Sequence, residues 1–206
     1  MQVFLALLTL AGQAPQPQQT ERPIGWESLF NGKDLTGWKL LGEAKKSKWK
    51  AEGGVLVNAG RGCNLETEKA FRDFKLHVEF KVPKHSNSGV YLRGRYEVQV
   101  EDSYGQKPHG GVCGAIYSRI VPSENASKQA GEWQDFDITL VGQYVTVVYN
   151  GKKIIDNQEI EGITGGALDV NEHEAGPLYI QGDHGSVDYR KIRIQTPPEP
   201  AKSAKK

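Results

Sequence analysis

Methionine and cysteine are scarce in this chain, and a long apolar run occurs only once. One Met and two Cys stand among 206 residues. Two cysteines exclude a disulfide-stapled scaffold, and a chain of this length can bury a core without staples. Cys63 and Cys113 allow one intramolecular bridge or two packed thiols, and sequence does not choose between them. No His or Cys spacing matches a zinc site. An excess of charge of one sign is also missing: 26 Lys and Arg face 25 Asp and Glu, for a net charge of +1. The basic residues are scattered, so the electrostatic footprint of a nucleic-acid binder is absent. Helical periodicity is missing too, since no window of about 15 residues sustains apolar positions at i, i+3 and i+4.

The apolar run is "MQVFLALLTLAGQA" at 1–14. It is too short to span a membrane, but it fits the h-region of a secretory signal ending in small residues, without Lys or Arg ahead of it. The expected organisation is a cleaved signal peptide at 1–14, a linker at 15–24, a single domain at 25–196 and a disordered tail at 197–206. The expected destination is secreted or periplasmic.

What the chain does have is 24 Gly, 10 Pro, four Trp, eight Tyr and six Phe. That mixture suits an all-β protein with many turns. Alternating runs recur at short intervals: "KWKAEGGVLVN" reads as a hairpin about Gly-Gly, and "FKLHVEFKV" puts Phe74, Leu76, Val78 and Phe80 on one face. Asn150-Gly151 is the strongest short hairpin signal. The pattern predicts roughly ten to thirteen strands in an antiparallel two-sheet β-sandwich.

Three stretches carry candidate chemistry. "SGVYLRGRYEVQV" reads as two strands or one bent strand with Gly94 as a bulge, and if "RGRYEVQVED" at 93–102 is a strand, Arg93, Arg95, Glu97, Gln99 and Glu101 share a face opposite Gly94, Tyr96, Val98 and Val100. A row of charged and amide groups backed by core residues either lies in solvent or lines a site. In "YIQGDHGSVDYR", Asp183-His184 sits between two glycines at the end of a strand, a cheap arrangement for an acid or base near neutral pH. In "GEWQDFDITLVG", Trp133 and Asp135 alternate on a polar face, where an aromatic ring suits stacking on a sugar. A histidine in a turn and a Trp at a sandwich edge also have ordinary structural explanations. Glu97 and Glu101 would stand about 13 Å apart along a strand, beyond the spacing of either two-carboxylate glycosidase mechanism. Conventional hydrolysis by this strand alone is therefore disfavoured.

Several longer motifs, "WESLFNGKDLTGW", "SNSGVYLRGRYEVQVEDSYG", "CGAIYS", "NASKQAGEWQDFDITLVG", "NGKKI" and "GPLYIQGDHGSVDYRKIRI", occur in order between Gly25 and Ile194. Together they resemble the 3-keto-disaccharide hydrolase domain family, formerly a domain of unknown function. The resemblance implies a concanavalin A-like (jelly-roll) sandwich, exported by bacteria and acting on glycosides oxidised at C3. Carried across residue by residue, it implies Arg93, Glu97 and Gln99 on the concave face, joined by Trp133, Asp135, Gln181, Asp183 and His184. The chain departs from the pattern at Glu101, where an apolar residue is expected, and at Gly182, which looks inserted into "LQDHG".

A C3 ketone acidifies the C2 hydrogen, so this chemistry needs one base, one stabiliser for the enolate and one proton source. The expected roles are Glu97 or His184 as base and Arg93, or a divalent cation held by Glu97, Gln99 and His184, at the enolate. Gln99, Asp135 and Gln181 would hold sugar hydroxyls, with Trp133 and Asp183 completing the substrate contacts. The expected partner is a saccharide or keto-glycoside, with an oxidoreductase acting at C3 to supply the ketone. A non-catalytic carbohydrate-binding module and a conventional glycoside hydrolase are the competing readings.

Overall fold

Four tight reversals follow the glycine signals. Gly53-Gly54 (φ 59° and 81°) joins β3 (Trp49–Glu52) to β4 (Val55–Asn58), and Asn150-Gly151 (φ 49° and 78°) joins β10 (Tyr144–Tyr149) to β11 (Lys152–Glu159). Left-handed φ at both central positions is the type I′ geometry whose twist matches that of paired strands. Gly142 turns β9 (Gln134–Val141) back into β10. Arg93 and Gly94 (φ 53° and 69°) do the same between β7 (Asn87–Leu92) and β8 (Tyr96–Glu101). Gly94 is therefore part of a hairpin turn, and the strand read over 93–102 begins only at Tyr96.

The computed structural model describes residues 25–197. The leader and linker expected over 1–24 and the tail beyond 197 lie outside the described residues. Within them are thirteen strands, completed by β1 (Glu27–Ser28), β2 (Trp38–Leu41), β5 (Asn64–Phe71), β6 (Phe74–Lys81), β12 (Gly176–Ile180) and β13 (Val187–Gln195). The one helical element among the described residues is a short 3₁₀ turn, Ala44–Lys46.

All strand pairs are antiparallel and form two sheets. The larger runs β11-β10-β9-β6-β13-β4-β3, with β1 added to β13; the smaller runs β2-β5-β12-β7-β8. This is the jelly-roll sandwich of the concanavalin A-like type. Strand alternation supplies the core: Phe74, Leu76, Val78 and Phe80 of β6 and Phe136, Ile138 and Leu140 of β9 meet Val90, Leu92, Val98 and Val100 of β7 and β8. Phe136 lies 4.7 Å, centroid to centroid, from both Phe80 and Tyr149. Phe136→Ala should lower stability by about 3–5 kcal/mol, since the neighbouring rings cannot close over the void; urea unfolding checks this.

The cysteines do not pair. Both are buried thiols: Cys63 donates to the Glu43 carbonyl (3.0 Å), and Cys113 lies in the core, where burial pushes its thiol up to about 12. Asn125, in the sequon at 125–127, holds the carbonyls of Ser103 (2.6 Å) and Gln106 (3.0 Å) through its side-chain amide. That amide pins a loop. No helix among the described residues is long and apolar enough to cross a membrane.

Candidate functional site

The outer face of the smaller sheet carries the polar row. Register pairs Tyr91 with Glu97, Gly89 with Gln99 and Asn87 with Glu101, and Tyr179 of β12 with Tyr91. These residues share the face opposite Val90, Val98 and Val100. Asn87, Tyr91, Glu97, Gln99 and Glu101 floor a cavity of about 430 Å³, walled also by His109, Tyr117, Gly165, Gly166, Gln181 and His184.

Two loops convert this open face into a cavity. β8 is the last strand of its sheet, but its free edge is not left bare. The loop after it returns, and backbone bonds run from Gln99 N to Ala115 O (3.0 Å), Gly114 N to Gln99 O (2.8 Å) and Tyr117 N to Glu97 O (3.0 Å). The loop between β11 and β12 closes the other side. There the Thr164 hydroxyl accepts from Glu97 N (2.9 Å), and Gly165 O accepts from the Tyr91 hydroxyl (2.8 Å). Arg95 clamps that loop, forking onto both Asp169 carboxylate oxygens (2.8 and 3.1 Å) and donating to Glu174 O (2.9 Å). Glu97 is left 4% exposed and Gln99 3%.

That burial decides the electrostatics. Withdrawal from water raises the Glu97 carboxyl from its ordinary 4.5 to about 7, against the bond from Tyr91 and the nearby His184, with Asp183 adding to the rise. Gln99 satisfies its neighbours with its amide nitrogen toward Ser88 O (2.9 Å) and Glu97 Oε1 (3.2 Å) and its oxygen toward Asn87 Nδ2 (3.3 Å). Gln181 is 6% exposed, and its side-chain oxygen has no hydrogen-bond partner. An unpartnered buried acceptor at a cavity wall can be satisfied by a ligand hydroxyl.

His184 enters the cavity from the turn after β12. Its Nδ1 meets Asp183 Oδ1 at 2.7 Å, which leaves Nε2 for chemistry. Two asparagines grip this turn. Asn64 Oδ1 accepts from the backbone N–H groups of Gly182 (2.7 Å) and Asp183 (3.1 Å), while Asn58 Nδ2 donates to Gly182 O (3.0 Å) and Gly185 O (2.8 Å). Arg61 adds a bond to His184 O (3.1 Å). Neither Gly182 nor Gly185 takes a left-handed φ. Glycine is required there by close packing: a Cβ on Gly182 would stand 2.2 Å from Cys63 O, and one on Gly185 2.3 Å from the Ser86 hydroxyl. Gly182 therefore seats the turn against its neighbours.

The structure brings together Glu97, Gln99, Gln181 and His184, with Asp183 behind His184. It does not bring in Arg93, Trp133 or Asp135. Arg93 sits in the β7–β8 turn, where its left-handed backbone ends the alternation that would have aimed it at the cavity. Its guanidinium donates to Gly142 O (2.6 Å) and lies over the Tyr96 ring, on the side opposite Glu97. Trp133 and Asp135 lie on the outer face of the larger sheet, across the sandwich. Asp135 pairs in register with Glu79, and the Trp133 ring is covered by Arg190 and Lys81, 4.0 and 5.0 Å from its centroid. The sequence shows a polar face but not which sheet owns it.

Among the described residues, no three His, Cys, Asp or Glu side chains form a group that could hold a metal ion. Gln99 turns its amide nitrogen, not its oxygen, to Glu97. Sequence reasoning passed over Tyr91, Asn87, His109 and Tyr117. The first two were legible in "SNSGVYL", whose alternation puts Asn87, Gly89 and Tyr91 on one face.

The sequence model of the 3-keto-alpha-glucoside-1,2-lyase-like domain matches residues 25–195. The chain belongs to this family. A 3-keto-disaccharide hydrolase of Bacteroides thetaiotaomicron is 32% identical over 91 residues, which are 39% of this chain and 31% of that relative. Among solved structures, a candidate glycosyl hydrolase from Parabacteroides distasonis is 30% identical with a TM-score of 0.69, covering 91% of this chain and 94% of that one. A non-specific endo-beta-1,3(4)-glucanase of family GH16 superposes with a TM-score of 0.53 at 11% identity, over 90% of this chain and 100% of its own. At that identity the likeness is one of fold.

Proposed function

We propose that the protein cleaves 3-keto-glycosides, with Glu97 removing the C2 proton. The observation that carries this reading is a single buried carboxyl poised at about 7, beside a histidine backed by an aspartate. A carboxylate of that basicity is matched to an acidified C–H bond near neutral pH. In the first step the C2–H bond breaks, the proton passes to Glu97, and the electron pair forms the C2=C3 enolate. The ketone then re-forms, the C1–O bond breaks, and a C1=C2 double bond results. The leaving oxygen takes a proton from His184, whose Nδ1 is held by Asp183 at 2.7 Å. Water finally adds across C1=C2: His184 takes one of its protons, its hydroxyl bonds to C1, and Glu97 returns its proton to C2. Glycoside and water have become a 3-keto sugar and an alcohol.

With Arg93 elsewhere, the Gln181 amide is the donor left for the enolate oxygen, because the Tyr91 hydroxyl gives its proton to Gly165 O (2.8 Å). The Gln181 nitrogen lies 3.5 Å from the Tyr91 oxygen, a weak bond that leaves it free to donate. The ketone must come from a separate oxidation at C3, and the leader at 1–14 supports action outside the cytoplasm.

The test is leaving-group release from a 3-keto-glucoside and from its unoxidised parent, with and without chelator. Cleavage of the keto substrate alone is expected. Cleavage of both would mark a conventional glycosidase, and glycan binding without cleavage a binding module. Loss of activity with chelator would bring a cation into the mechanism.

A further inference from the structure

Glu101 is a carboxylate on the cavity wall that the mechanism leaves unused. It stands four residues along β8 from Glu97, about 13 Å at the rise of an extended strand. It is half-buried, and its side chain has no hydrogen bond or ion pair with any described residue. The nearest imidazole does not satisfy it. His109 accepts from Gly111 N at Nδ1 (3.1 Å) and meets Gln106 Oε1 through Nε2 (3.2 Å), so both ring nitrogens are taken and neither bonds Glu101. Beside it, Tyr117 is 38% exposed on the same wall, held by its backbone bond to Glu97 O. No Lys or Arg lines the cavity among the described residues.

An exposed aromatic ring, an acceptor without a hydrogen bond and an absence of Lys and Arg suit a neutral, hydroxyl-bearing ring. We propose that the Glu101 end of the cavity is the subsite for a second sugar ring, the leaving group, and that it takes a neutral ring and rejects an acidic one. Tyr117 offers a face to the ring's C–H groups, and Glu101 accepts from its hydroxyls. A carboxylate on the ring would face Glu101 with no Lys or Arg to offset it. This assignment rests on the keto-glycoside reading for the word "leaving", but the occupancy of the subsite can be measured without turnover.

The experiment compares 3-keto-glucosides whose leaving groups are methanol, glucose and glucuronic acid, using wild type, Glu101→Gln and Tyr117→Ala. Both side chains are partly exposed, so the variants should fold. In wild type, kcat/KM for the glucose leaving group should exceed that for methanol and for glucuronic acid by about tenfold or more each, a difference of the size one good contact or one unscreened like charge produces. Glu101→Gln should bring the glucuronic acid substrate level with the glucose one, and Tyr117→Ala should erase the glucose-over-methanol preference. Equal rates for methanol and glucose in wild type, or rejection of glucuronic acid that Glu101→Gln leaves intact, would overturn the proposal. Calorimetry with the unoxidised disaccharides and methyl glucoside separates the two readings. Tighter, Glu101-dependent binding of the neutral disaccharide, together with no cleavage of any of the 3-keto-glucosides, would sink the keto-glycoside reading and keep the subsite. Equal binding of all three would sink the subsite.

Discussion

Glu97→Gln should lower kcat/KM on a 3-keto-glucoside by about 10²–10⁴, the range for loss of a positioned base. The amide keeps the shape and the contact with Tyr91 but cannot take the C2 proton. In wild type the basic form exists only above the Glu97 pKa, so kcat/KM should rise with pH through about 7. That acid limb should be missing from the residual rate of the variant. The same substitution should stabilise the fold on the alkaline side. Burial raises the Glu97 pKa from 4.5 in the unfolded chain to about 7 when folded. Between those values the folded chain keeps a proton that the unfolded chain gives up. The contribution is fully present below 4.5 and lost as pH rises through about 7, at an upper bound of about 3 kcal/mol. Urea unfolding at pH 5 and pH 8 should show Glu97→Gln gaining on wild type at the higher pH. An unchanged difference would mean that Glu97 is solvated in the folded chain.

Gly89→Ala should be nearly as damaging to activity while leaving the fold in place. Gly89 lies in β7 beside Glu97, and a Cβ there would stand 2.3 Å from Glu97 Oε1 and 2.9 Å from its Cδ. Those atoms are the far end of a flexible side chain, so the carboxylate moves and the backbone does not. Gly89 has an ordinary backbone conformation, so alanine adds no strain. A displacement of an ångström or more at the base should cost about 10² in kcat. The melting temperature should stay within a few degrees, since little besides the carboxylate is disturbed. Reduced kcat with an intact melting transition would separate positioning from stability. A collapse of both would mean that the strand pair itself cannot accept the methyl group.

Much of this molecule follows from local chemistry in the chain. The alternation in "FKLHVEFKV" determined the core face of β6, and Gly53-Gly54 and Asn150-Gly151 determined two hairpins, because left-handed φ is a property of two adjacent residues. The row Glu97, Gln99, Glu101 is legible for the same reason: period two is a strand property, and it held from Tyr96 onward. Arg93 falls outside that row because one left-handed residue ends the period, and Arg93-Gly94 separates two strands. Which sheet owns a polar face is not local. Trp133 and Asp135 carry the same pattern as the cavity residues, yet β9 pairs with β6 in the larger sheet, so they face away across the core. The basicity of Glu97 also belongs to the tertiary structure. Two loops, one bonded along β8 and the other clamped by Arg95 more than seventy residues away in the chain, remove water from its carboxylate. The sequence by itself determined where the strands turn and which side chains share a face. The tertiary structure decided which of those faces is enclosed, because desolvation depends on what packs over a residue and not on its neighbours in the chain.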